Sequence, residues 1–182
     1  MRSSTSGSIF AFLLCTALLL SASAMAQERS GRVRSLAEIR YESVIPQQWD
    51  TSCGAAALAT LLSYDLQDKV TERQVATAML HRTDPIRVRT RGGFSLLNMQ
   101  EYAAMRGYQA DGYGDLSLGD LATLLPAIVP VEFHGYDHFV VVRKIEQDQV
   151  FFADPAFGRR TISAPAFEQA WNGKIAFVVT RK

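Results

Sequence analysis

Cys53 stands in the run Gln47-Gln48-Trp49-Asp50-Thr51-Ser52-Cys53-Gly54-Ala55-Ala56, immediately ahead of an alanine- and leucine-rich stretch with helical spacing. A thiol at a helix start faces free backbone N–H groups and the positive end of the helix dipole, and both favour thiolate over thiol. That is a setting for a nucleophile. A cysteine nucleophile also needs a base to take its proton, a group to orient that base, and donors that hold the oxyanion of the tetrahedral intermediate. A free cysteine serves equally well as a small buried hydrophobe. What separates the two readings is whether the rest of the chain supplies those partners.

The bases on offer are His81, His134 and His138. His81 ends a predicted helix, where an imidazole suits the C-terminal carbonyls, so it reads as a cap. His134 and His138 flank a Gly-Tyr-Asp turn between two apolar strands. His134 reads as solvent-facing, whereas His138 opens Phe139-Val140-Val141-Val142, the strongest strand pattern in the chain. The next predicted strand ends sixteen residues on, at Asp154 in Phe151-Phe152-Ala153-Asp154-Pro155. Two antiparallel neighbours joined by a turn at Glu146-Gln147-Asp148 place the start of the first beside the end of the second. His138 and Asp154 are therefore expected at one edge, where the carboxylate can accept an imidazole N–H and fix its tautomer. Aspartate before proline is also an ordinary turn residue. Gln47, six residues before Cys53, offers a side-chain amide that could join the Cys53 N–H in binding an oxyanion, with Gln48 as the competing candidate.

The elements that must position these groups follow from periodicity and punctuation. Residues 53–64 form a mostly buried helix, with Ala57, Leu58, Leu61 and Leu62 at helical spacing and Ser52 or Thr51 as cap. Thr71-Glu72-Arg73-Gln74 has the capping-box form and opens a second helix running to about Leu80. Asp84-Pro85 and the arginine-rich stretch to Gly92-Gly93 read as a loop. Residues 95–106 form a third helix closed by Gly107, residues 108–113 a short extended piece, and residues 116–126 a short fourth helix. Strands are expected at 127–133, 138–145, 149–153, 159–162 and 174–180, rich in Val, Ile and Phe, with a helix at 165–171 between the last two. Helices first and strands second predict an α+β fold, a helical N-terminal half packed on a mainly antiparallel C-terminal sheet.

Residues 1–26 stand apart from that fold. Arg2 gives a positive start, residues 9–20 an apolar run of twelve, and Ala24-Met25-Ala26 an A-x-A cleavage site, which together read as a signal peptide. An uncleaved anchor is the alternative, but twelve residues fall short of the roughly 20 a helix needs to cross a bilayer. Cleavage would remove Cys15 and leave Cys53 alone, a free thiol in an oxidising periplasmic compartment. Residues 27–40 are polar and arginine-rich and read as a flexible lead-in, with the folded domain at 41–182. The formal net charge of +1 drops to zero without Arg2, so no basic excess points to nucleic acid or to anionic lipid. No repeat or phosphate-cradling loop is present, and the histidines lack the spacing of metal ligands, so no metal or cofactor is expected.

Taken together, Gln47…Asp50-Thr51-Ser52-Cys53-Gly54-Ala55-Ala56, His138-Phe139-Val140-Val141-Val142 and Ala153-Asp154-Pro155-Ala156-Phe157-Gly158 resemble the bacteriocin-processing peptidase family, papain-like domains that cut leader peptides after a Gly-Gly pair. The resemblance runs from about Ile45 to Val179 and includes Phe167…Trp171-Asn172-Gly173. It implies a papain-like cysteine peptidase with Cys53 as nucleophile, His138 as general base and acid, Asp154 as its orienter and Gln47 as oxyanion donor. Members of the family are usually the cytosolic N-terminal domain of a transporter, whereas this chain carries its own signal and no ATP-binding loop. In that respect it is similar to the exported peptidases of bacterial functional-amyloid (Fap) secretion systems. The resemblance implies an extended segment of another exported protein as substrate, with amyloid-secretion components as partners. A transglutaminase-like acyl transfer and a non-catalytic peptide-binding module for assembly are the alternatives carried by the same residues.

Overall fold

The computed structural model describes residues 33–182. The expected signal peptide and the first part of the lead-in lie outside the described residues. A compact unit spans Leu36–Lys182, and no helix among the described residues is long and apolar enough to cross a membrane.

The unit begins with a short helix, α1 (Leu36–Arg40), where a flexible lead-in was expected to continue to Arg40. No α1 residue is buried, which is why the sequence shows no amphipathic period there. Its end is nevertheless held. Gly158, at φ +83°, brings its backbone so close to Arg40 that a Cβ would lie 2.5 Å from the Arg40 carbonyl oxygen. The Tyr41 hydroxyl donates to the Ala156 carbonyl at 2.7 Å.

The central helix, α2 (Cys53–Thr60), is buried along its whole length and runs on into a π turn over Leu61–Asp65. Small residues on every side let neighbours approach it from all directions. Ser52 occupies the N-cap position, but its hydroxyl makes no cap bond to the helix and turns elsewhere. Helix α3 (Glu72–Leu80) starts from the expected capping box of Thr71 and Gln74. Residues 84–92, expected as a loop, contain a helix, α4 (Pro85–Arg91), with Asp84 capping the Ile86 N–H, Pro85 in its first turn and Gly92 left-handed at its end. Asp-Pro and glycine are helix start and stop signals as well as turn signals; with Val88 alone buried, no apolar stripe tips the balance. Helix α5 (Leu96–Met105) follows from a Ser95–Asn98 capping box and stops at Gly107, φ +84°.

Strand β1 (Tyr108–Tyr113) and helix α6 (Leu118–Thr123) lead into β2 (Ala127–Phe133), β3 (Tyr136–Glu146), β4 (Gln149–Asp154) and β5 (Gly158–Ser163). Helix α7 (Ala164–Ala170) and β6 (Ala176–Arg181) complete the chain. The sheet order is β1-β6-β2-β3-β4-β5, and every pair is antiparallel. One face, with Ile128, Val141, Ala153 and Phe177, packs in a core with α2, α3 and α5. The other, with Val129, Val131, Val140, Val142 and Phe152, packs with Leu121 of α6 and with Phe167 and Trp171. This is the expected α+β arrangement, with α6 and α7 covering the second face of the sheet.

Candidate active site

Positions 53, 138 and 154 converge where the start of α2 meets the β3–β4 hairpin. Tight turns fix the strands. His134 and Gly135 take φ of +55° and +78° between β2 and β3, and Gln147 and Asp148 take +50° and +60° between β3 and β4, the left-handed pairs of two-residue hairpin loops. Strand β3 therefore starts at Tyr136 and not at His138, so the imidazole sits inside the ladder, paired in register with Val131.

The His138 and Asp154 side chains are both completely buried, with Nε2 3.1 Å from Oδ2. Phe133, Tyr136 and Phe157 surround the imidazole, with ring centroids 5.9, 5.5 and 6.4 Å away. Asp154 serves two masters. Its Oδ1 accepts the Ala156 N–H at 2.9 Å and the Phe157 N–H at 3.2 Å, closing the turn after β4, while Oδ2 takes His138 and, at 3.3 Å, the Arg160 guanidinium. The carboxylate thus closes the turn and contacts the imidazole at once. Burial pushes the Asp154 carboxyl up, but His138, the Ala156 N–H and Arg160 outweigh it and leave the group below the usual carboxylate range. Nδ1 of His138 has no hydrogen-bond partner among the described residues. With Nε2 engaged by the carboxylate, Nδ1 is the nitrogen left to exchange a proton.

His138 and Cys53 line one cavity of about 330 Å³, together with Gly93 and Phe94 from the loop after α4, Phe139, and Asn172. A larger cavity of about 710 Å³ lies between α1 and β5 and includes neither residue. Cys53 is a free, buried thiol. Burial pushes it above the ordinary thiol range, and the N–H groups of Phe139, Gly54 and Cys53 itself pull it down by less. Helix position by itself therefore does not activate this cysteine.

Gln47 does not line that cavity. Its backbone N–H donates to the Pro155 carbonyl at 2.9 Å, which ties the loop before α2 to the turn after Asp154. Its side-chain amide oxygen is buried without a partner. Gln48 is exposed, its N–H held by the Glu72 carboxyl at 2.8 Å. His81 is the C-cap residue of α3. Neither it nor His134 lines the cavity shared by Cys53 and His138. Arg160 and Glu72 escaped sequence analysis, Arg160 because a basic residue in a strand carries no signal, Glu72 because its place in a capping box already explained it.

The chain belongs to the Peptidase C39 family, whose profile matches residues 41–182. It is 39% identical over 149 residues to a protein of Pseudomonas aeruginosa described as a probable functional amyloid protease, FapD, and 41% identical over 150 residues to its namesake in Pseudomonas fluorescens. Each match covers 81% of this chain and 65% of the relative, so the chain spans about two-thirds of the length of those proteins. Among solved structures it is similar to a double glycine motif protease from an AMS/PCAT transporter in complex with its leader peptide. The TM-score is 0.63, with 28% identity over 76% of this chain and 91% of the other. The bacteriocin-processing resemblance and the papain-like fold inferred from sequence are thereby established.

Proposed function

We propose that this chain is a periplasmic cysteine peptidase that cleaves a peptide bond in another exported protein during functional-amyloid secretion. The observation that carries this reading is the buried His138–Asp154 pair, whose second imidazole nitrogen is unpartnered, on a residue that lines one cavity with Cys53. Family membership, the two relatives described as amyloid proteases and the leader peptide bound to the similar transporter protease support it.

In this mechanism Nδ1 takes the thiol proton, and the thiolate attacks the peptide carbonyl. A buried thiol above its ordinary range gains most from such a base, because thiolate then forms only alongside an imidazolium that neutralises it. Asp154 holds Nε2–H, keeps the ring in the tautomer with a free Nδ1 lone pair, and stabilises the imidazolium. Oxyanion binding falls to the Cys53 N–H and to the Gln47 side chain, which does not line the cavity itself but sits in the loop tied to the turn after Asp154. An amide presents nitrogen or oxygen to the same spot by a half-turn of its end, and its unpaired atom in Gln47 is the one this role would use. The imidazolium protonates the leaving amine, then Nδ1 activates the water that hydrolyses the thioester.

The test compares N-termini of exported proteins from cells carrying the native chain or Cys53→Ala. A cleaved N-terminus present with the native chain and absent with the stably folded variant is expected. Identical N-termini would overturn the proposal.

A further inference from the structure

We infer that Glu72 is a positioning residue that sets the place of the Gln47 oxyanion donor relative to Cys53, which carries both the other donor and the thiol. The inference rests on the peptidase reading of Cys53 and Gln47. Glu72 is the first residue of α3, a helix start where an acidic side chain is ordinarily solvated; here it is 3% exposed. One oxygen, Oε1, accepts the Gln48 N–H at 2.8 Å and lies in hydrogen-bond contact with the Ser52 hydroxyl. Gln48 follows Gln47 and Ser52 precedes Cys53, so a single atom holds both ends of the segment that separates the two oxyanion donors. The other oxygen, Oε2, is buried without a partner.

A carboxyl placed this way costs stability, and an apolar side chain of similar size would fill the space at less cost. What an apolar side chain would not supply is the cross-link. Without it, residues 48–52 keep ties that join Ser52 to Trp49 but leave Gln48, the residue next to Gln47, unheld. Ser52 and Trp49 bond each other, the Ser52 N–H donating to the Trp49 carbonyl at 3.1 Å and the Trp49 N–H donating to Ser52 Oγ at 3.2 Å. The Tyr136 hydroxyl donates to the Asp50 carbonyl at 3.1 Å. The Ser52 hydroxyl also lies 2.7 Å from the Trp49 carbonyl, but it has one proton to give, and donation to a carboxyl is the stronger choice. This accounts for Ser52 failing to cap α2 although it occupies the N-cap position: its hydroxyl is committed to Glu72.

Oxyanion binding tolerates little displacement, because donors must lie at hydrogen-bond distance from where charge develops. Thiol alkylation needs no such donors. Two reagents therefore separate positioning of the hole from the state of the thiol. With p-nitrophenyl acetate the Cys53 sulfur bonds to the acetyl carbon through an oxyanion, and the C–O bond breaks with its electron pair leaving on p-nitrophenolate, read as a burst. With iodoacetamide the Cys53 sulfur bonds to the methylene carbon as the C–I bond breaks and iodide leaves, with no oxyanion formed. For Glu72→Ala the burst rate is expected to fall about 10-fold or more, a part of the roughly 10²–10³-fold loss that removal of one oxyanion donor causes. Alkylation should stay within about twofold, because thiolate availability, on which it depends, is left intact. Glu72→Gln, which keeps an acceptor oxygen at the same place, is expected to retain most of the burst rate. Ser52→Ala, a smaller change that removes one of the two bonds, should show an intermediate loss and guards against misfolding of the alanine variant at 72. Unchanged acylation in both Glu72→Ala and Ser52→Ala, or acylation and alkylation falling together, would overturn the positioning role. No burst from the native chain would instead sink the peptidase reading.

Discussion

The two ends of the β3–β4 hairpin each carry a basic side chain against a carboxylate, in opposite surroundings. Near the turn, Lys144 and Glu146 pair with side chains about half exposed, 57% and 49%. At the far end, His138 and Asp154 pair with both side chains fully out of water. Water screens the first pair and competes for its hydrogen bonds, so its geometry is optional. Nothing competes at the second, where the carboxylate must take every bond it needs from the protein, and it does so with four donors. Burial is thus what turns an acid–base contact into a fixed tautomer.

Breaking the buried pair should have the largest effect. Asp154→Asn is expected to lower kcat about 10⁴-fold by permitting the wrong imidazole tautomer. Asp154→Ala, which leaves buried donors without an acceptor, should lower unfolding free energy in urea by about 3–5 kcal/mol. The pH dependence has a definite sign. Asp154 is held below the usual range, so its stabilisation is complete above the unfolded value of about 3.9 and is lost as pH falls through its own lower value. Urea midpoints below about pH 4 should therefore fall more steeply for the native chain than for Asp154→Asn.

Removing the imidazole leaves a thiol that burial pushes up. His138→Ala should lower iodoacetamide alkylation at pH 7 by about 100-fold and move the alkylation profile to higher pH, because burial then acts on the thiol with no base to offset it. Alkylation unchanged from the native profile would mean that the imidazole does not take the proton. Arg160 touches the buried end from its more exposed side and stacks over Phe133, 4.6 Å from the ring centroid. Arg160→Ala should cost about 1 kcal/mol and, by removing a donor from Asp154, move the acid limb of stability to higher pH. The smallest effect belongs to the exposed end: Glu146→Ala should change stability by less than about 0.5 kcal/mol. A larger loss there would erase the contrast between the two ends.

Much of this fold follows from local chemistry. Thr71 and Ser95 open α3 and α5 through capping boxes, Gly107 closes α5, and the Val-rich runs become β2 and β3. Those signals act within a few residues and need no tertiary partner. The helices α1 and α4 were not legible as helices because they bury no residue and one residue respectively, so no stripe marks them. Glu72 was legible as a helix-start residue and illegible as a clamp, since the groups it binds lie 24 and 20 residues earlier in the chain.

The sequence by itself determined which residues could do chemistry and that a hairpin would carry His138 and Asp154 to one edge. Which face of that hairpin Asp154 occupies was decided elsewhere. From Glu146↔Gln149 to Lys144↔Phe151 the register runs regularly, then shifts by one residue before Val142↔Phe152. Continued unshifted, it would set Asp154 opposite Val141, on the face away from His138. After the shift Asp154 falls beside Val140, on the face His138 shares. The extra residue is Arg143, whose guanidinium bonds the Asp65 carboxylate at 2.9 Å and the Ser43 carbonyl at 2.9 Å. A bulge held by groups 78 and 100 residues away leaves no local trace, because alternation along a strand shows which residues are apolar but not where the ladder gains a residue.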